Sequence, residues 1–361
     1  MEKICIFCGQ KPESKTMEHV LPLWLLELTG DPNRVVRLGM KLGKKGFEEQ
    51  KHSFKEFKFP ACDSCNSIFG ELENLTKPVI LKMLEYENIS ASEIDTLLDW
   101  FDKVRIGLWL AFHKFLQKNW AGIRPNYHIA GRIGAFDRVL LVCRSEYYKP
   151  MLSFFGCDTP AFFYAPCCFS LSINNLSFLN LSYNFLFARR FGFPFPEESF
   201  YSDYENIFEF RMVEGRKKII RPLLKNYFSV DATEIYQPMF KPIIFMKGFS
   251  ELYDDDYVKE RCIDWRIGIG KIFIRAGREF IEYSVNVSDD WIPDYEYSKQ
   301  ILLKKMAIET IKRQLNILKL KPSYERLDKD RKALIKRQIN FSKNFNEDVL
   351  KKFQTINSEK T

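Results

Sequence analysis

Two short stretches decide how this chain begins: Cys5-Ile6-Phe7-Cys8-Gly9 and Cys62-Asp63-Ser64-Cys65-Asn66. Each Cys-x-x-Cys is a tight knuckle that turns two thiols toward one point, and two knuckles complete the four-thiolate tetrahedron that Zn²⁺ prefers. The spacing predicts a closed, structural zinc site of Cys5, Cys8, Cys62 and Cys65, with no ligand left over. The 53 residues between Cys8 and Cys62 exceed what a simple finger needs, so they must hold structure of their own. Long apolar runs are scarce up to residue 75, as expected of a small module that folds around a metal. Inside the gap, the polar run Gly39 to Gly46 reads as an exposed loop. His52 to Phe59 alternates charged and aromatic residues and reads as a strand leading into the second pair. By themselves the cysteine pairs are equally compatible with a zinc site that does no catalysis.

Further residues in and after the gap point to chemistry. Glu18-His19-Val20-Leu21-Pro22 follows the first knuckle, and Asn66 directly follows the last cysteine. This order resembles the HNH (ββα-metal) nucleases: a knuckle, an acidic-His-hydrophobic-x-Pro stretch, then Cys-x-x-Cys-Asn or Cys-x-x-Cys-His opening a helix. The resemblance covers residues 3 to 75, about a fifth of the chain. It implies a metal-dependent endonuclease that hydrolyses phosphodiester bonds in DNA, with RNA left open. Such hydrolysis requires a group to deprotonate water and a cation to stabilise charge on the phosphate. His19 is the candidate base, because imidazole accepts a proton near neutral pH. Glu18 supplies a hard oxygen ligand suited to a catalytic Mg²⁺ or Mn²⁺, and Asn66 a second, neutral one. The last motif position is Asn rather than His, as in many members, and Asn33 in its Pro-Asn turn is the candidate for the middle Asn. Glu71 and Glu73 follow Asn66 on the predicted helix. Glu73 falls near the Asn66 face and is a candidate support for the metal shell, but a solvated acidic face is the simpler reading of both. His52 reads as an exposed strand histidine, and His113 and His128 read as structural.

The 361 residues, with 33 Phe, 16 Tyr and 6 Trp, suffice for two or three packed domains. The expected fold class is α+β: a zinc-braced HNH module over 1–78, a mixed α+β domain over 90–297 serving specificity or regulation, and a basic helical segment over 298–361. Ser90 and Ser92 precede Glu93 and Asp95 as overlapping capping boxes for a long apolar helix reaching to about Trp120. From 123 to 297 short β-branched and aromatic runs alternate with Gly, Pro and Asn, and Ile272–Ile274 with Phe280–Tyr283 reads as a hairpin around Ala-Gly. Phe154, Phe155, Phe162, Phe163 and Tyr164 are candidates for base stacking, with buried strand aromatics the simpler account. Cys143, Cys157, Cys167, Cys168 and Cys262 read as small buried hydrophobes.

Charge is uneven. Residues 299–361 hold 17 Lys and Arg against 7 Asp and Glu, while the other 298 residues carry a net −2. Such asymmetry points to a polyanion partner. A helix with Leu303, Ala307, Ile311, Leu315 and Leu318 on one face presents Lys304, Lys305, Lys312 and Arg313 as candidate phosphate contacts. The alternative is an amphipathic helix packed on its own domain. After Pro322 a second helix is expected from about Ser323. No run of eighteen apolar residues exists, and Met1 to Cys5 turns polar too soon for a signal peptide, so a cytoplasmic protein with no membrane partner is expected. The resemblance further implies a role in restriction or anti-phage defence and leaves room for a homo-oligomer or a defence-system partner protein. The rival reading is a non-catalytic zinc-ribbon protein that binds nucleic acid.

Overall fold

The stretch between the cysteine pairs holds β1 (Thr16–His19), α1 (Leu23–Leu28), β2 (Val35–Gly43), β3 (Gly46–Ser53) and β4 (Lys58–Ala61). The computed structural model describes residues 4–12, 14, 16–43, 46–115, 128–146, 149–187, 195–202, 207–213, 228–241, 260–264, 266–277, 279–283, 292–295, 298–319 and 329–358. β1 and β4 pair antiparallel, with Thr16 opposite Ala61 and His19 opposite Lys58. From the second knuckle the chain runs directly into α2 (Asp63–Leu84). The polar run expected as a loop is largely strand: β2 and β3 form a hairpin, Gly43 opposite Gly46. The single strand expected from His52 to Phe59 is broken by a 3₁₀ turn at Phe54–Glu56, which buries Phe54 beside Phe57.

α3 (Ala91–Phe115) begins where the capping boxes place it. The Ser90 amide donates to Glu93 Oε2 at 2.7 Å, and the Glu93 amide donates to Ser90 Oγ at 3.2 Å. The reciprocal bonds satisfy two of the donors a helix start leaves open. The expected continuation to Trp120 lies outside the described residues.

Beyond α3 come β5 (Asp137–Ser145), β6 (Leu152–Phe155), α4 (Pro160–Tyr164), β7 (Cys168–Ile173), β8 (Leu176–Tyr183), β9 (Phe195–Ser202), β10 (Ile207–Val213) and β11 (Thr233–Gln237). They are followed by β12 (Cys262–Asp264), β13 (Ile269–Gly270), β14 (Phe273–Ala276), β15 (Glu279–Glu282) and β16 (Asp294–Tyr295). Seven strands form an antiparallel sheet in the order β15-β14-β11-β5-β8-β7-β6, and β16 joins β5 in parallel. The hairpin expected around Ala276-Gly277 is β14 with β15.

Both faces of this sheet are buried. Leu140 and Val142 of β5 and Phe178 of β8 face the cluster that contains α3, whereas Val139, Leu141 and Cys143 with Leu179 and Leu181 face the other. That second face receives Leu302, Met306 and Ile317 of α5 (Lys299–Leu318). α6 (Lys329–Ser358) packs outside α5, with Asn346 Nδ2 donating to Gln314 Oε1 at 2.9 Å. The same α3-side cluster also takes in Phe7, Leu21, Leu25 and Leu26 of the N-terminal segment.

The expectation for the basic helix changes here. α5 is an internal helix: Ala307, Ile311, Leu315 and Leu318 are buried as expected, but so are Glu309, Thr310 and Gln314. Arg313, expected outside on phosphate, is buried; it pairs with Glu309 Oε1 at 2.7 Å and stacks over the Phe228 ring. Of the aromatics weighed for base stacking, Phe162 and Phe163 are buried in the core, in line with the simpler account, whereas Phe154, Phe155 and Tyr164 are half-buried, Phe154 packing on Phe54 and Phe112 and Phe155 on Phe353. The five scattered cysteines are buried, and burial pushes Cys143, Cys167 and Cys262 up to about 12.

Candidate metal centre and active site

The four knuckle thiols converge. Ligand atoms of Cys5, Cys8, Cys62 and Cys65 all lie within 4.8 Å of one another, and Cys8 Sγ is 3.8 Å from Cys62 Sγ. Tetrahedral Zn²⁺ with bonds of about 2.3 Å requires sulfurs roughly 3.8 Å apart, so the cluster fits a metal ion such as zinc. Local backbone explains the approach. The Cys5 amide donates to the Gln10 carbonyl and the Gly9 amide to the Cys5 carbonyl, which closes the first knuckle. Gly9 sits at φ +76°, and a Cβ there would meet the His128 ring at 2.3 Å. Ile129 and Ala130 amides donate to the Ile6 and Phe7 carbonyls, so a segment far along the chain holds the knuckle from outside. In the second knuckle, the side chain of Ser64 and the backbone N–H of Cys65 lower the Cys62 thiol, whereas burial and then the neighbouring thiols raise that of Cys65.

β1 carries Glu18 and His19 out of the first knuckle, and Asn66 lies in the first turn of α2. The pairing of β1 with β4 connects them, because β4 leads straight into that turn. The His19 imidazole is held below its ordinary pKa by partial burial and then by the charges of Lys58, Lys103 and Lys55. It is therefore neutral, and able to accept a proton, at physiological pH. Asn66 Oδ1 is buried with no hydrogen-bond partner, and an amide oxygen in that condition suits a hard cation.

Glu18 has a partner that sequence reasoning missed. Lys103 Nζ, from α3, lies 2.5 Å from Glu18 Oε1 and also pairs with Glu73 Oε1. Glu73, expected on a solvated acidic face, is thus drawn into the site, whereas Glu71 does lie exposed. Burial first, opposed by Lys103 and assisted by repulsion from Glu18, pushes the Glu73 carboxyl up to about 7. The overlooked signal lies in Trp100-Phe101-Asp102-Lys103-Val104-Arg105. Charged residues inside a helix that is apolar all round must be buried in pairs. Asp102 and Arg105 obey the same rule, 2.5 Å apart in the core.

The other candidates lie elsewhere. The Asn33 side chain donates to Asp31 within its own turn at 3.2 Å. His52 pairs with Glu56 at 3.2 Å. His113 is held between Trp109 and Phe163, and burial lowers it to about 4. Lys304, Lys305 and Lys312 are half-buried on α5, with Lys312 donating to Ser229 Oγ at 3.2 Å. Among the described residues no helix is long and apolar enough to cross a membrane. The chain matches no family model, no curated protein and no solved structure, so the chemistry of the site rests on its own side chains.

Proposed function

We propose that this protein is a metal-dependent nuclease of the HNH type, cutting phosphodiester bonds in DNA. The observation that supports the reading is the four-cysteine cluster together with the antiparallel β1–β4 pair: β1 bears Glu18 and His19, and β4 leads into α2, whose first turn bears Asn66. Zn²⁺ on Cys5, Cys8, Cys62 and Cys65 would be structural, because four thiolates leave no position for water. Glu18 and Asn66 would hold Mg²⁺ or Mn²⁺. When bound, such an ion supplies positive charge against the phosphate.

His19, neutral for the reasons above, takes the proton from the attacking water on a ring nitrogen. Asn66 offers its buried, unpartnered oxygen without adding negative charge. Affinity for the polyanion comes from the basic C-terminal segment. With Arg313 in the core, the cations presented outward there include Lys336, Arg337 and Lys343 of α6, alongside the half-buried Lys304, Lys305 and Lys312 of α5. A role in restriction or anti-phage defence accords with this chemistry.

The test is supercoiled plasmid incubated with purified protein. Nicking or linearisation with Mg²⁺ or Mn²⁺, stopped by EDTA, is the expected result. Tight plasmid binding with no cleavage under either metal would favour a zinc-braced binding protein instead.

A further inference from the structure

Glu18 of β1 and Glu73 of α2 come from different elements, yet one ammonium holds both. Burial orders the three groups. The Lys103 side chain is 1% exposed, against 12% for Glu18 and 15% for Glu73. The cation lies on the core side, within 5.8 Å of the Phe7 ring centroid, and the carboxylates are the more open groups. An ammonium this desolvated is costly unless carboxylates pair it, so Lys103 and the two glutamates form one unit. α3 delivers it at close range. One turn beyond Lys103, a Cβ on Gly107 would stand 2.7 Å from Val20 Cγ1, directly after His19. The greater exposure of Glu18 and Glu73 makes the carboxylates, rather than the ammonium, the groups a divalent ion from solvent would meet first.

We propose that Lys103 is a positioning residue for metal-dependent cleavage: it grips Glu18 and Glu73 from the core side, so both carboxylates serve one divalent ion and Glu73 joins its ligands. This rests on the nuclease reading above. Carboxylate ligands are commonly oriented by a partner on their other oxygen, and losing that partner typically costs 10- to 100-fold in affinity or activity. Here the two effects separate. Removing Lys103 also removes a positive charge beside the metal ligands, which by itself favours cation binding.

The experiment uses zinc-loaded, full-length protein as wild type, Lys103→Met, Lys103→Arg and Glu73→Gln. Bound Mn²⁺ is counted from the loss of the free-ion EPR signal, and plasmid cleavage is measured at saturating Mn²⁺. Lys103→Met is expected to bind Mn²⁺ at least as tightly as wild type yet cut about 10- to 100-fold more slowly. Lys103→Arg should recover most of the rate, and Glu73→Gln should weaken Mn²⁺ binding. Cleavage by Lys103→Met at or above the wild-type rate would overturn the proposal, since the lysine would then be a bystander or a competitor of the metal. Weaker Mn²⁺ binding together with slow cutting in Lys103→Met would also overturn it, as general loss of structure. Should Lys103→Met shed its zinc, Glu73→Gln decides: wild-type Mn²⁺ affinity there removes Glu73 from the shell and ends the proposal. A wild type that cuts while the variants match it sinks this inference alone. A wild type that binds Mn²⁺ but never cuts sinks the nuclease reading, and this inference with it.

Discussion

At the scale of single residues, the metal centre depends on thiols and on one glycine. Cys62 is one of the four clustered thiols that could hold a metal, and it stands at the N-terminal end of α2 without a side-chain capping bond. Cys62→Ala is expected to release about one zinc per chain and unfold the N-terminal segment, read by metal analysis and far-UV circular dichroism. A folded, zinc-free wild type from a chelator-free preparation would contradict this. Gly9→Ala asks a different question. Gly9 lies at φ +76° with the His128 ring where a Cβ would go, so alanine meets both backbone strain and a collision. The expected cost is about 1–3 kcal/mol, seen as a lower midpoint of thermal unfolding. An unchanged midpoint would mean that the knuckle relaxes freely. The four cysteines were legible because the spacing within each pair is set by a local backbone turn. Lys103 was not, because it reaches Glu18 from 85 positions away.

At the scale of elements, α3 is the part that joins the site to the rest of the protein. One side contributes Lys103 and Gly107 toward β1, and Phe101 packs on Phe169 and Phe178 of the sheet. Gly107→Ala should push α3 off Val20 by several tenths of an ångström and loosen the Lys103–Glu18 contact. Overpacking of this kind costs roughly 1–3 kcal/mol, so a lower unfolding midpoint accompanied by slower cleavage is expected. Slower cleavage without any loss of stability would argue against a packing origin. The start of α3 was legible from Ser90 and Glu93, since a capping box is written in four consecutive residues. The sheet was only partly legible. An antiparallel sheet with one wet face alternates apolar and polar residues, but β5 reads Val139-Leu140-Leu141-Val142 because both of its faces are covered. Burial of Thr310 and Gln314 on α5 was likewise hidden, because these polar groups are satisfied by Met306, Gly156 and Cys168 carbonyls distributed along the fold.

At the scale of the whole molecule, the excess positive charge of the last 63 residues divides between an internal helix and an outer one. Only outward charge can displace counterions from a nucleic acid. Reversing Lys336, Arg337 and Lys343 together should weaken plasmid binding for all sequences and flatten its salt dependence, whereas Arg313→Ala should mainly destabilise the fold. An unchanged salt slope in the triple variant would return α6 to the role of a solvated packing helix. In the proposed function, the four-cysteine cluster, the Glu18-His19 strand, α3 and this basic surface would serve a nuclease that uses His19 as the base. The most direct test is plasmid cleavage by His19→Ala beside wild type at equal, saturating Mn²⁺. A general base typically contributes about 100- to 10,000-fold, so cleavage should nearly vanish while plasmid binding and zinc content persist, and added Mn²⁺ should not restore it. Wild-type cleavage by His19→Ala would contradict the account at its centre.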